Sequence, residues 1–278
     1  MKRNIIKTAS CIATVFTIAG CAHTSNTVGI RQTIPKTNLD HEPPRLVSAF
    51  FGLDDALPKM AAQFSAEAPG KDGMPVTFSR RVMDGPSVNP KAFTVKTRSG
   101  ALRQPIYATT APASALGKGH TVLLIGDLGS AQTDPPVSVE VTGDLPLEYG
   151  ANGKGLSVPV IPLADGPTLV QALGFKAGDF PCDPPAGARQ VVVAIWAGGV
   201  KPKRGANDTA HLRGYRVATS QGEVRPFALG GLHDNDNYVF LFLATDAPAE
   251  RVTFAPDIVV DPRGDVNPET SVAVSQSR

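Results

Sequence analysis

One hexapeptide occurs twice in this chain, and the repetition constrains the fold more than any other feature. Pro44-Arg45-Leu46-Val47-Ser48-Ala49 returns as Pro167-Thr168-Leu169-Val170-Gln171-Ala172, with four identities in six positions at an offset of 123 residues. The segments that follow recur in the same order. PVTFSRRV from Pro75 is echoed by VVVAIWAGGV from Val191, FTVKTRSG from Phe93 by YRVATSQG from Tyr215, and HTVLLIGD from His120 by NYVFLFLATD from Asn237. VSVEVTGD from Val137 has its expected echo in PDIVVD, Pro256 to Asp261. Self-similarity at a fixed period marks a duplicated structural unit, so whatever the first copy folds into, the second must fold into as well.

The repeated unit reads as β-structure. Its short apolar runs are punctuated by many of the chain's 25 prolines and 27 glycines, and few stretches are long enough for a helix. Phe93, Val95 and Thr97 alternate with Thr94, Lys96 and Arg98, so that strand has one face for a core and one for water. VLLI and VFLFL are continuously apolar, as central strands covered on both sides would be. A unit of about 110–120 residues with five or more such strands has the size of one β-sandwich. The expected fold is therefore all-β, with sandwiches over residues 43–163 and 164–278.

The N-terminus carries a different message. Lys2, Arg3 and Lys7 precede an apolar run from Ala9 to Ala19, the layout of a bacterial export signal. Ile18-Ala19-Gly20-Cys21 resembles a lipobox, which makes residues 1–20 a lipoprotein signal peptide and Cys21 the acylated first residue of the mature chain. Several acyl chains anchor a protein stably where one alone is marginal. Ala22 follows the cysteine, a pattern resembling that sorted to the outer membrane of Gram-negative bacteria, and residues 21–42 read as a polar tether. The expected location is the cell envelope, with the membrane as partner through the lipid.

Loss of residues 1–20 leaves 24 basic against 25 acidic residues, a formal charge of −1, so the apparent basicity belongs to the signal. Without clustered Lys and Arg, nucleic acid is not an expected partner. Cys182, in DFPCDPP, is expected as a half-buried structural thiol.

The Pro-x-Leu-Val opening strand, the V-T-F-S strand at Val76–Ser79, the N-P-x-x-F-x-V segment at Asn89–Val95 and the closing Asp-x-x-Gly-Asp-x-Asn turn at Asp261–Asn267 together resemble the tandem bacterial Ig-like domains of exported surface proteins. The second copy departs from that pattern at Val193–Trp196. The resemblance implies two Ig-like sandwiches and a role in scaffolding, adhesion or ligand display, and it implies no catalytic residues.

Three readings attach to DPRGDVNPET, Asp261 to Thr270. If Tyr238–Leu243 and Arg251–Val260 form a hairpin through Asp246–Glu250, its open end brings Asp234 and Asp236 beside Asp261, Asp265 and Asn267. Converging carboxylates with an amide oxygen suit a structural calcium ion, although the spacing is not the twelve-residue calcium loop. Turn chemistry alone explains the same residues, and Arg263-Gly264-Asp265 is also an adhesion tripeptide.

Enzyme signatures are missing from the sequence: no G-x-S-x-G, no His pair at helical spacing and no phosphate-binding glycine loop. The expectation is a non-enzymatic scaffold, adhesion or binding module with a protein or glycan partner. The alternatives are a binder of carbohydrate or another envelope polymer, or a hydrolase at the acidic pole. Lys201, Lys203 and Arg204 belong to one basic run, expected first as a solvated loop face and alternatively as a contact for lipid phosphates or an acidic glycan, and Trp196 with Tyr215 would stack on a sugar only if exposed; in sandwich strands a core role is expected of both.

Overall fold

The repeated hexapeptides open two sheets with the same strand order. The computed structural model describes residues 42–114, 117–232 and 236–276; 43% of these described residues are strand, and they include one α-helix. The signal peptide, Cys21 and nearly all of the tether lie outside the described residues, as does Asp234. The strands of the first half are β1 Leu46–Phe50, β2 Asp72–Phe78, β3 Ser87–Val88, β4 Phe93–Thr97, β5 Leu102–Arg103, β6 Tyr107–Thr109, β7 Thr121–Gly126, β8 Pro136–Val141, β9 Pro146–Leu147, β10 Ala151–Asn152 and β11 Ser157–Ile161. Those of the second are β12 Leu169–Lys176, β13 Gln190–Trp196, β14 Lys201–Pro202, β15 Tyr215–Thr219, β16 Gly222–Val224, β17 Ala228–Gly230, β18 Tyr238–Leu243, β19 Ala249–Phe254, β20 Val259–Val260 and β21 Thr270–Gln276.

Read from the β6 side, the first sheet runs β6-β7-β2-β1-β11-β8-β4-β5, with β3 added beyond β6. The second runs β17-β18-β13-β12-β21-β19-β15-β16, the same succession strand for strand. Even the one exception to antiparallel pairing is repeated. β1 pairs parallel with β11 (Ala49 opposite Val160), and β12 pairs parallel with β21 (Ala172 opposite Val274). Short ribbons, β9–β10 and β14–β20, complete the two halves, and both halves belong to one compact unit, Pro35–Arg278.

Each sheet curls so that its two arms face one another across a core. In the first half, Met74, Val76 and Phe78 of β2 and Val122 and Leu124 of β7 meet Phe93 and Val95 of β4 and Val139 and Val141 of β8. The alternation expected of β4 is present, with Phe93, Val95 and Thr97 buried and Lys96 exposed. In the second half, Val192, Ala194 and Trp196 of β13 and Val239, Leu241 and Leu243 of β18 face Tyr215, Val217, Val252 and Phe254. The outward residues of the same two strands, Val191, Val193, Ile195, Tyr238, Phe240 and Phe242, are buried in a second cluster with Phe180 and Ala113. That double covering is why VFLFL carries no polar residue.

Two expectations need correction. Tyr238–Leu243 and the following strand are not a hairpin: β18 pairs with β13 and β17, whereas β19 pairs with β15 and β21. β18 needs partners on both edges because both its faces are buried, so the connection after Leu243 crosses to the opposite arm of the sheet. The echo of β8 is likewise Ala249–Phe254 and not Pro256–Asp261, since β8 and β19 hold the same place in the strand order.

The loop between β1 and β2 is the main elaboration of the first half. Leu57, Ala61 and Ala68 from it are buried against Ile125 on the outer face of β7, with Leu53 and Phe64 beside them. Fully burying a side chain of the size of Leu57 contributes about 1.5–3 kcal/mol and each alanine less, which helps hold a loop with little regular structure beyond a 3₁₀ turn at Lys59–Gln63.

The halves meet through buried polar contacts. Lys118 donates to Asp236 in an ion pair whose side chains are 3% and 1% exposed. The His120 backbone N–H donates to Tyr238 Oη at 2.9 Å, Asn237 Nδ2 donates to Thr121 Oγ1 at 3.1 Å, and Gln171 Nε2 donates to the Ser79 carbonyl at 3.2 Å. Gly198 allows a closer approach still, because a Cβ there would stand 2.7 Å from Cδ1 of the buried Phe50 ring.

Candidate functional site

Beside this junction lies a groove of about 740 Å³. One wall is the first half: Phe50 at the end of β1, Pro75 of β2, Leu123 of β7, and the loop residues Leu53, Leu57, Met60 and Phe64. The segment Thr110–Ala113 forms a second wall, and Gly198–Lys201, Asp236, Asn237, Pro262 and Arg263 of the second half close the groove. The outer face of β2 and β7 would be solvated in an isolated sandwich; here the loop covers part of it and the second half covers another part, and the groove is the strip left between.

The charges sit on the second half's side. Lys201 is exposed in β14, whose register sets it opposite Val260, just before the Asp261–Asp265 turn that carries Arg263. No ion pair forms at Lys201 among the described residues. The Arg263 guanidinium has Asp265 as its carboxylate neighbour, at 3.8 Å from Nε. Asp236 also lines the groove, but its carboxylate is engaged by Lys118 and accepts the Tyr238 N–H at 2.9 Å. The rim is thus cationic over an apolar floor.

The described residues proposed for calcium have protein partners, although Asp261 Oδ2 is buried without a hydrogen-bond partner. Asp261 is fully buried, and its Oδ1 accepts backbone N–H groups from Arg263, Gly264 and Asp265 at 2.9, 2.8 and 2.9 Å. Burial pushes its carboxyl above the usual range, and those three donors pull it back. Gly264 adopts φ 102, a conformation open to glycine, so Arg263-Gly264-Asp265 is the body of a turn that Asp261 caps. Asn267 Oδ1 accepts from Ile258 N and Val259 N at 3.0 and 2.9 Å, and its Nδ2 donates to the Ala255 and Pro268 carbonyls, both at 2.8 Å. Asp236 lines the groove together with Pro262 and Arg263, the residues that follow Asp261. Among the described residues, no three His, Cys, Asp or Glu side chains gather as a metal-binding group.

The other expected positions divide. Trp196 and Tyr215 are both fully buried; the indole Nε1 donates to Tyr215 Oη at 3.0 Å and the indole packs edge-on against Phe254 at 5.0 Å. They offer no ring face to a sugar, which corrects Trp196 as a binding residue. Of the basic run, Lys203 pairs with Asp257 at 2.6 Å, Arg204 is exposed, and Lys201 alone lines the groove. Cys182 is exposed and not half-buried: Phe180 takes the core position in that segment and the chain turns outward after it.

The groove walls were the part that sequence reasoning missed. The available signal is the spacing of Leu53, Leu57, Met60, Ala61 and Phe64, three and four residues apart, inside a segment longer than its counterpart Ala177–Arg189 in the second repeat. Two buried titratable groups also have shifted acidities, His120 at the junction and Asp72 at the far end of β2. Burial lowers His120 to about 4, against the hydrogen bond from Nδ1 to the Phe78 carbonyl and with the help of Arg81. Burial raises Asp72 to about 6, although its oxygens accept amide protons from Asp55, Leu128 and Gly129. Both face protein and neither lines the groove, so they serve the fold.

No known protein family and no characterised protein matches this chain. No helix among the described residues is long and apolar enough to cross a membrane.

Proposed function

We propose that this chain is a lipid-anchored cell-envelope protein of two tandem Ig-like sandwiches that acts by binding, without catalysis, and that its ligand sits in the groove at their junction. The groove is the observation that carries the reading. Apolar clefts of about 300–1,000 Å³ with a few convergent polar groups are the usual form of a small-ligand site, and junctions between repeated units are a usual place for one. The strand order supports a sandwich in each half: a curled sheet of nine strands in the first and eight in the second closes on its own core, with the first strand of each half paired parallel with its last long strand. The export signal and Cys21 support the anchor. Against a hydrolase at the acidic pole, Asp236 is held by Lys118 and Asp261 by three amides.

Two measurements test the reading. A solvatochromic apolar dye should bind the protein, and Ala56→Trp, which places an indole into the groove from an exposed lining position, should abolish the signal. Dye binding that is equal in both proteins would remove the groove as the site. Separately, Cys21→Ala should move the protein from the membrane fraction to the soluble one, and unchanged membrane retention would remove the anchor.

A further inference from the structure

We infer that the occupant of the groove is a single-chain anionic amphiphile, a long-chain fatty acid, with its acyl chain along the Leu53–Met60–Phe64 wall and its carboxylate against Lys201 and Arg263. This rests on the groove being the ligand site proposed above and adds the chemistry of the ligand.

The floor dictates an apolar body. Phe50, Leu57 and Leu123 line it beside Pro75 and Pro112, and Met60 stands 63% exposed at its edge. A methionine has three rotatable bonds and a polarisable sulfur, so it can settle on a flexible chain without demanding one shape. An exposed apolar strip in a concave setting is a feature that monomeric proteins seldom keep without use.

The rim dictates the head group. Lys201 and Arg263 both line the groove, Lys201 standing opposite Val260, three residues before Arg263. Lys201 has no ion-pair partner among the described residues, and Arg263 has Asp265 at 3.8 Å, beyond hydrogen-bond reach. The acid that does line the groove, Asp236, has its charge offset by Lys118. A neutral apolar ligand would leave Lys201 without a counter-charge and Arg263 with only its 3.8 Å pairing to Asp265, whereas a carboxylate at the end of the chain meets both with charge-assisted hydrogen bonds. The volume of about 740 Å³ suits one small molecule, and therefore one chain, better than a two-chain lipid.

The test uses the full chain carrying Cys21→Ser, so that neither its own acyl groups nor detergent competes. Oleate and oleyl alcohol share the chain and differ in the head, and their affinities are measured by titration calorimetry. Oleate should bind at least about tenfold more tightly, the factor that about 1.4 kcal/mol of head-group interaction gives. Lys201→Gln with Arg263→Gln should erase that advantage while leaving the alcohol within about twofold, and Ala56→Trp should weaken both. Both rim residues are exposed, so the double variant keeps the fold, checked by its melting temperature. Equal affinity for the two ligands in the parent protein overturns the anionic head group while the groove keeps its place as an apolar site. Failure of both to bind overturns the ligand and the site together. Attachment to phosphatidylglycerol vesicles without binding of free oleate overturns the proposal in favour of a membrane surface.

Discussion

Acidification from pH 8 to pH 5 perturbs the junction through one residue, His120. Its ring is buried beside Phe78, and burial holds its acidity at about 4, against an ordinary value of 6.5. The folded state therefore favours the neutral ring. At pH 8 the ring is neutral whether the chain is folded or not; at pH 5 the unfolded chain takes up the proton and the folded one largely does not. Stability is lost as pH falls from the unfolded value toward the folded one, by about 2 kcal/mol at pH 5 and about 3 kcal/mol once pH is below 4. Asp72 works in the opposite sense. Its folded value of about 6 lies above the ordinary 3.8, so the fold favours the protonated acid and gains about 1.4 kcal/mol over the same pH interval. The two nearly offset, and single variants expose each in turn. His120→Asn keeps a side-chain donor toward the Phe78 carbonyl and cannot titrate. The assay is urea unfolding at pH 8 and pH 5 for parent, His120→Asn and Asp72→Asn. The pH 5 minus pH 8 difference should shift by about +2 kcal/mol in the histidine variant and by about −1.4 kcal/mol in the aspartate variant, other titrating groups cancelling in the comparison. A histidine variant with the parent's pH dependence would refute the assignment of a buried neutral ring.

Lys118→Met leaves the Asp236 carboxylate buried without its cation and should cost about 3 kcal/mol by denaturant unfolding; adding Asp236→Asn removes that charge, keeps an acceptor for the Tyr238 N–H, and should recover more than half of the loss. Gly198→Ala drives a methyl toward the Phe50 ring and should destabilise by about 1–3 kcal/mol, read as a lowered melting temperature, with Phe50→Leu in the same chain restoring part of it. Asn267→Asp retains the acceptor for Ile258 and Val259 but not the donors for Ala255 and Pro268, and should cost about 1–3 kcal/mol in chemical denaturation at pH 7, close to the cost of Asn267→Ala. An aspartate variant as stable as the parent would show that the two donated bonds carry no weight.

The duplication was legible because its opening strands kept their hydrophobic spelling. β1 and β12 share Pro-x-Leu-Val, and in both halves the strand bears the same neighbours. The match failed at β19, and the reason is local. Both strands carry a bulge at the same place and nearly the same burial pattern, but AERVTF has two adjacent charged residues, Glu250 and Arg251, where PVSVEV has the uncharged Val137 and Ser138. Val259 and Val260 in PDIVVD resemble β8 more closely, yet they pair only with β14 as a side ribbon. The false hairpin arises at β18, since a strand without alternation does not announce which layer it belongs to.

The groove divides along a similar line. Its rim was partly visible in the sequence, since Lys201, Asp236 and the turn after Asp261 are short polar segments whose residue types carry chemistry wherever they fall. Its walls were not, because Phe50, Leu57 and Leu123 are apolar residues that any strand or loop of a sandwich requires for its core. Only the topology separates the two uses. Leu124 points into the first half's core while Leu123, its neighbour in β7, points to the opposite face, and the packing of a second sandwich beside that face turns it into a cleft. The contacts responsible, Lys118 with Asp236 and His120 with Tyr238, join residues 118 positions apart, a separation set by the length of the repeat itself. A duplicated unit thus brings the same stretch of its two copies together, and in doing so produces a concave surface that neither copy would have alone.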